Sequence, residues 1–332
     1  MAKSLIGIDV GVSELKMALW DGKKIRKLVT VPMLENLVKD GVIVSYDAMA
    51  DFLKQSIKGS KLTEDVSVIL PANYSFLKRL SIPKMTKQQL EVNLPYEFRD
   101  FLTQGKDKYF YDYAVNGFNK DEEGEGETMD LLAACSAKDI IGEYRNMFKR
   151  AGLRLAVAIP AECAFYNIIK HQAEEADNDK VYAFVDFGCN ATKLFIFSGS
   201  GYEVTRVIDT GMRTVFEAIA AETNVDEHMA LGYMQTNHNN CQELEGPKNV
   251  YDAIASEIRK ATNFFSFSHS NAELTGLYCC GGGCHIQPLL KAVEEGTELK
   301  LHNITELLPE VESGQDPLSF AAAIGAAIQG GR

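Results

Sequence analysis

The sequence predicts an α/β protein of two related lobes, with a small α+β unit inserted in the first. Three observations carry this. A strand–turn–strand stretch containing Asp-x-Gly occurs twice. Short apolar strands alternate with helical segments in both halves, the pattern of a largely parallel sheet flanked by helices. Between the two repeats, residues 80–160 change character and read as helix, strand, strand, helix, strand.

The first stretch is Leu5–Trp20, LIGIDVGVSELKMALW. Leu5, Ile6 and Ile8 form a short β-type run ending at Asp9. Gly11 follows, where the backbone must turn sharply or admit a close neighbour. Val12, Ser13 and Glu14 make the turn, and Leu15–Trp20 returns with Lys16 near its start. A carboxylate beside loosened backbone N–H groups suits a metal-bound phosphate. Alone, the stretch also reads as an ordinary β-hairpin. The second copy is Val181–Phe197, VYAFVDFGCNATKLFIF, in which Asp186 answers Asp9, Gly188 answers Gly11 and Lys193 answers Lys16. Each pair is 177 residues apart (186 minus 9, 188 minus 11, 193 minus 16). Such a repeat implies two related lobes closing on one ligand.

At 332 residues the chain is long enough for two domains, each with its own core. A net charge of −12 argues against a general nucleic-acid binder, which would show a basic patch or stripe, and gives no help in approaching an anionic membrane. The start, MAKSLIGIDVG, enters a strand without the apolar core of a signal peptide. The longest apolar runs, such as Phe320–Ile328, fall short of the ~20 residues a membrane span needs. The end, AAIGAAIQGGR, is no basic amphipathic anchor, so a cytoplasmic location is expected without direct membrane insertion. Seven cysteines, an odd number spread through predicted elements, fit reduced thiols rather than a disulfide framework.

Along the first lobe, KKIRKLVTVP and Gly41-Val42-Ile43 read as strand and strand edge. Tyr46–Ile57 is helical, and Val66–Leu70 is a buried strand stopped by Pro71. In the insert, Thr86-x-x-Gln89 is a capping box opening a helix that Pro95 kinks or ends. Tyr109–Val115 and Met129–Cys135 are partner strands around the acidic, solvated loop FNKDEEGEGETMD. Ser136-x-x-Asp139 opens a helix with Ile140, Tyr144, Met147 and Phe148 on one face, and Gly152 stops it. Leu153–Ile159 returns as a strand, Pro160–Lys170 is the next helix, and HQAEEADNDK reads as the linker between lobes.

The second lobe continues with a strand over Tyr202–Asp209 closed by Thr210-Gly211. Helices follow over Arg213–Glu222, parts of Asp226–Gln235, and Val250–Phe267. Leu274–Cys280 is a strand running into Gly281-Gly282-Gly283, then a helix over Ile286–Ala292. Phe320–Ile328 is a closing helix, small and apolar enough to demand tight packing. The boundaries read as 1–172 for the first lobe, 180–317 for the second with a helical subdomain near 213–273, and 318–332 returning to the first.

These residues together resemble the actin-like (ribonuclease H-like) ATPase fold shared by actin, Hsp70 and sugar kinases. IGIDVGVSELKMAL and FVDFGCNATKLFIF look like its two phosphate hairpins, and LYCCGGGCHIQPLL like its adenosine turn. PAECAFYNII and FAAAIGAAIQ look like its two connecting helices. KYFYDYAV followed by LLAACSAKDIIGEYRNMFKRAGL is similar to the inserted subdomain of the PilM family of type IV pilus assembly proteins. The FtsA family is the alternative resemblance, and would imply a cytoskeletal filament or slow ATPase. FtsA chains, however, are longer and end in a membrane helix absent here.

The resemblance implies an ATP-binding scaffold in pilus assembly, or in a related type II secretion or DNA-uptake machine. It implies a cytoplasmic protein held at the inner membrane face by the N-terminal tail of a PilN-like single-span protein. Self-association and contacts with other motor components are further expectations. ATP and Mg²⁺ are the implied cofactors, with hydrolysis weak or absent. Asp9 and Asp186 would contact Mg²⁺ through water; turn-capping is their plain alternative. Backbone N–H groups around Gly11, Val12, Ser13, Gly188 and Asn190 would hold phosphates, with Lys16 neutralising charge and Thr192 adding a polar contact. Lys16 otherwise reads as a solvent-facing strand lysine. Gly281, Gly282 and Gly283 would let adenosine lie against backbone. Cys279, Cys280, Cys284 and His285 form a rival thiol–metal cluster, which strand alternation opposes. The family pattern is departed from in DEHMALGYM, where Ala230 and Tyr233 stand near the expected Glu and Lys. The usual glycine pair is Gly211-Met212, and Glu162 is the nearest candidate for activating water.

Overall fold

In the computed structural model, residues 4–58, 65–120, 127–172, 180–198, 201–269 and 273–328 are described. Residues 173–179 of the interlobe linker reading (171–180) and the tip of the acidic loop (121–126) lie outside them. The chain divides into two compact units: Met1–Asn167 with Ser200–Tyr202 and Ala322–Arg332, and Ile168–Gly199 with Glu203–Ala321.

In the first unit, β1 (Leu5–Val10), β2 (Glu14–Trp20) and β3 (Ile25–Pro32) form a meander, followed by a two-strand ribbon of β4 (Val38–Lys39) and β5 (Val42–Ile43). Helix α1 (Tyr46–Ser56) starts at Ser45, whose hydroxyl accepts from the Ala48 N–H. Strand β6 (Asp65–Leu70) is buried at all six positions, as a parallel strand covered on both faces must be. Next come β7 (Phe76–Pro83), α2 (Lys87–Glu97), β8 (Tyr109–Lys120), β9 (Glu127–Ala137), α3 (Lys138–Arg150), β10 (Arg154–Pro160) and α4 (Ala161–Gln172). The main sheet has the order β10-β6-β1-β2-β3, with β10, β6 and β1 parallel.

Side chains alternate across β1. Ile6 and Ile8 join Met49, Leu53, Tyr144, Met147 and Phe148 in the core under α1 and α3. Gly7 lies on the other face, where a Cβ would fall 1.9 Å from the Ala323 carbonyl oxygen. Asp9 shares the Gly7 face.

The inserted unit is a three-stranded antiparallel sheet, β7-β9-β8, with α2 packed on one face around Leu80, Leu90, Leu94, Phe98 and Leu131. The Thr86–Gln89 capping box opens α2, and the helix ends two residues after Pro95. The sequence pattern omits β7 and groups α3 and β10 with the insert. Residues 76–137 make the small sheet with α2, whereas β10 joins the main sheet and α3 its core. Ser136 does not cap α3: β9 runs through it, pairing it with Phe110, and the cap position is Ala137 without a side-chain bond.

The second unit repeats the first. Its strands are β11 (Tyr182–Phe187), β12 (Thr192–Ser198), β13 (Gly201–Ile208), β14 (Gly276–Cys280) and β15 (Lys300–Asn303). The order β13-β12-β11-β14-β15 mirrors β3-β2-β1-β6-β10, and β11, β14 and β15 are again parallel. Its helices are α5 (Met212–Thr223), α6 (Glu227–Thr236), α7 (Glu245–Ser268) and α8 (Gln287–Thr297). The helices expected as a subdomain near 213–273 share one core with the sheet: Val215, Ile219, Ile254 and Ile258 pack with Ala183, Val185, Phe187 and Leu277.

The closing helix is α9 (Ala321–Ala327), which belongs through residues 322–332 with the first unit. A Cβ on Gly325 would sit 2.2 Å from the Ala164 carbonyl oxygen, and the Asn167 side-chain amide donates to the Gly325 carbonyl at 2.9 Å. The small residues of α9 let its backbone approach both β1 and α4.

Candidate nucleotide site

The first hairpin pairs Asp9 with Lys16 across β1 and β2. The Gly11 N–H donates to the Glu14 carbonyl at 3.0 Å, closing the turn. That N–H is therefore spent on the fold, while the N–H groups of Val12 and Ser13 have no partner among the described residues. Val12 is half-buried against the core and Ser13 is exposed. Lys16 Nζ lies 3.6 Å from a Glu14 carboxylate oxygen, which offsets part of its charge. Asp9 stands at the carboxyl end of parallel β1, the edge at which open α/β sheets bind ligands. Glu162, in the first turn of α4 directly after parallel β10, rises from the same edge.

The second hairpin repeats this arrangement. Asp186 pairs with Lys193, and the Gly188 N–H donates to the Ala191 carbonyl at 3.1 Å. The N–H groups of Cys189, Asn190 and Ala191 have no partner among the described residues. The Thr192 hydroxyl donates to the Thr210 carbonyl at 2.9 Å, and Thr192 is fully buried. That pin between β12 and the end of β13 removes Thr192 from the ligand-contact candidates. Gly211 has a packing reason to be glycine: a Cβ there would lie 2.4 Å from the Cys189 carbonyl oxygen and 2.6 Å from the Ala191 nitrogen. The first turn of α5 is thereby fastened to the hairpin. The Met212 N–H donates to the Gly188 carbonyl at 3.0 Å and the Arg213 N–H to the Cys189 carbonyl at 2.8 Å.

Asp186 is also beside the glycine turn. It pairs in register with Cys280 of β14, and a Cβ on Gly281 would sit 2.5 Å from its Oδ1. Gly281 has φ 89° and ψ 173°, a conformation essentially restricted to glycine. Gly283 is packed too, since a Cβ would meet the Phe187 Cβ at 2.6 Å. Gly282, between them, is exposed with nothing within 4 Å of the Cβ position. Asp186, Gly188, Gly211, Gly281, Gly282 and Gly283 thus gather at one edge of the second sheet. Its partnerless amides, its hard carboxylate oxygen donor and the open surface at Gly282 fit a metal-bound phosphate and an apposed planar group.

Burial and geometry oppose the thiol–metal alternative. Burial pushes the Cys279 thiol up to about 12 and raises that of Cys284, which holds both in the neutral form that ligates metal poorly. No group of three metal-ligating side chains is found among the described residues.

The family model for the type IV pilus assembly protein PilM matches residues 7–317. The chain belongs to the PilM family. Among solved structures, the PilM–PilN type IV pilus biogenesis complex contains a chain 21% identical to this PilM-family protein, with a TM-score of 0.80 over 99% of each chain. The archaeal actin homologue Ta0583 is 13% identical with a TM-score of 0.51, covering 98% of each chain. MreB5 of Spiroplasma citri, bound to AMPPNP, is 12% identical with a TM-score of 0.50 over 98% of this chain and 95% of that one. The fold is actin-like. No curated protein matches.

One basic side chain at this edge escapes the sequence reading. Arg213 follows Gly211-Met212 at the start of α5, and its Nε donates to the Asn190 Oδ1 at 3.1 Å. The available signal is a cation placed just after the glycine that ends the third strand.

Proposed function

We propose that this chain is a nucleotide-binding scaffold of type IV pilus assembly that holds the N-terminal cytoplasmic tail of a PilN-like inner-membrane protein. The observation that carries this is the family match over residues 7–317, joined by the 0.80 likeness to a chain of the PilM–PilN complex. The scaffold works in the cytoplasm and reaches the membrane through that partner. In keeping with this, no helix among the described residues is long and apolar enough to cross a bilayer.

The nucleotide we assign is ATP with Mg²⁺. Asp9 at the first hairpin and Asp186 at the second are the carboxylates that would contact the cation, through its waters because Mg²⁺ dehydrates reluctantly. The amides of Val12, Ser13 and Asn190 take phosphate oxygens, Lys16 offsets phosphate charge, and the backbone of Gly281–Gly283 accepts the adenosine. When bound, Mg²⁺ supplies charge neutralisation of the phosphates. The activity is binding, with Glu162 the carboxylate to replace in any test for slow hydrolysis.

Calorimetric titration of Mg·ATP into wild type and Asp9→Ala tests the site. The variant is expected to lose about tenfold in affinity, the scale of one charge-assisted contact. Equal curves would remove Asp9 from it. Fluorescence anisotropy with a labelled peptide of the cognate PilN-like tail tests the partner, and no saturable binding would refute that half of the reading.

A further inference from the structure

We propose that Arg213 is the phosphate-reading cation of the second hairpin, selecting nucleotides that carry two or more phosphates over adenosine. The inference rests on the nucleotide reading above and adds to it a residue and a discrimination.

Three observations carry it. First, the position is fixed. The backbone of Arg213 is bonded to Cys189 in the hairpin turn, and Gly211 is pressed against the same turn too closely to admit a side chain. The side chain cannot leave the turn unless α5 leaves it. Second, the guanidinium is steered. Its Nε donates to the Asn190 side-chain carbonyl at 3.1 Å, and its carbon lies 5.8 Å from the centroid of the Phe216 ring, one helical turn on. A cation over an aromatic face is held there while its outer edge stays open. Third, the charge is available. Arg213 has no carboxylate partner among the described residues, and only one of its five N–H donors is used. Lys16, the cation of the first hairpin, already shares its charge with Glu14 at 3.6 Å.

Asn190 contributes a backbone N–H without a partner among the described residues, and Arg213 lies against the Asn190 side chain. An oxyanion on that amide would meet a planar fork able to bind two oxygens at once, a geometry lysine lacks. Adenosine, without an oxyanion, would gain nothing from it.

The test compares Mg·ATP, Mg·ADP and adenosine on wild type, Arg213→Ala and Arg213→Lys. Calorimetry serves the nucleotides and ligand-observed NMR the nucleoside. Arg213→Ala is expected to weaken ATP and ADP about tenfold to hundredfold, the range of charge-assisted hydrogen bonds, and to leave adenosine within about twofold. Arg213→Lys recovers part of the loss. Unchanged ATP and ADP affinity in Arg213→Ala overturns the inference while leaving the nucleotide site in place. A parallel loss for adenosine also overturns it, by making Arg213 a support for the hairpin. Failure of wild type to bind any nucleotide overturns the nucleotide reading and this inference together.

Discussion

Two neighbouring glycines separate what the fold needs from what the proposed nucleotide would need. In Gly281→Ala the added methyl meets two obstacles. The backbone at φ 89°, ψ 173° costs an alanine about 1–3 kcal/mol. The methyl would also lie 2.5 Å from the Asp186 Oδ1 and 2.7 Å from the Phe187 carbonyl oxygen, and the latter is a strand backbone atom that cannot swing aside. Overpacking of that kind adds about 1–3 kcal/mol, so the total is about 2–6 kcal/mol. For a domain of this size class each kcal/mol moves Tm by about 2–4 °C, so a fall of at least about 4 °C is expected. In Gly282→Ala the methyl meets nothing within 4 Å and the backbone is unstrained. Stability should hold or rise by about 0.4–1 kcal/mol, through lost freedom in the unfolded chain. Its affinity for Mg·ATP should fall all the same, because the methyl occupies the surface on which adenosine would lie. Scanning fluorimetry and calorimetry on the two variants decide the matter. Wild-type ATP affinity in Gly282→Ala would refute the adenosine assignment, and an unchanged Tm in Gly281→Ala would refute the steric argument.

Two further outcomes follow from packing and from buried thiols. Gly7→Ala would drive a methyl to 1.9 Å from the Ala323 carbonyl and 2.7 Å from the Ala327 nitrogen, so α9 must lift from β1; Tm should fall by several degrees, and an unchanged melting curve would contradict the close approach. Burial pushes the thiols of Cys135 and Cys279 from 9.0 up to about 12, so the folded state resists their ionisation. Their contribution to stability is full below pH 9, where both states are protonated, and is lost as pH rises toward about 12. Each costs about 1.4 kcal/mol per pH unit in that window. Urea melts from pH 8 to 11 should give a falling midpoint that flattens in the Cys135→Ala, Cys279→Ala double variant; a parallel decline in both proteins would assign the loss elsewhere.

What the sequence discloses about this molecule follows from how each feature is encoded. The two hairpins are legible because a turn closed by glycine between apolar strands is written locally. Their equivalence shows in the constant offset and is repeated by the strand order of the two sheets. The edges of the insert are not legible, because a helix such as α3 carries an apolar face whatever sheet it covers. Tyr144 and Phe148 would suit either core, and only the topology assigns them to the larger one. The strand β7 is hidden for a related reason: FLKRLSIP mixes charge with apolar residues and covers only part of one face. At the site, residue type is legible and hydrogen-bond expenditure is not. Gly11 and Gly188 look like amide donors to a ligand until their N–H groups are found closing their own turns. Thr192 looks like a polar contact until its hydroxyl is found on the Thr210 carbonyl. Arg213 looks like one more basic helix residue until α5 is found bonded to the hairpin. In each case the deciding fact is which partner a polar group already has, and that partner is supplied by the fold. A site read from sequence is therefore a set of chemical capacities, and the structure subtracts those the fold has consumed. After that subtraction, and among the described residues, the second hairpin keeps three partnerless amides beside a guanidinium with no acidic partner, and the first keeps two amides beside a lysine already shared with Glu14. On the proposed nucleotide reading, the charge left to meet phosphate would accordingly lie at Arg213 rather than at Lys16, where the sequence suggests it.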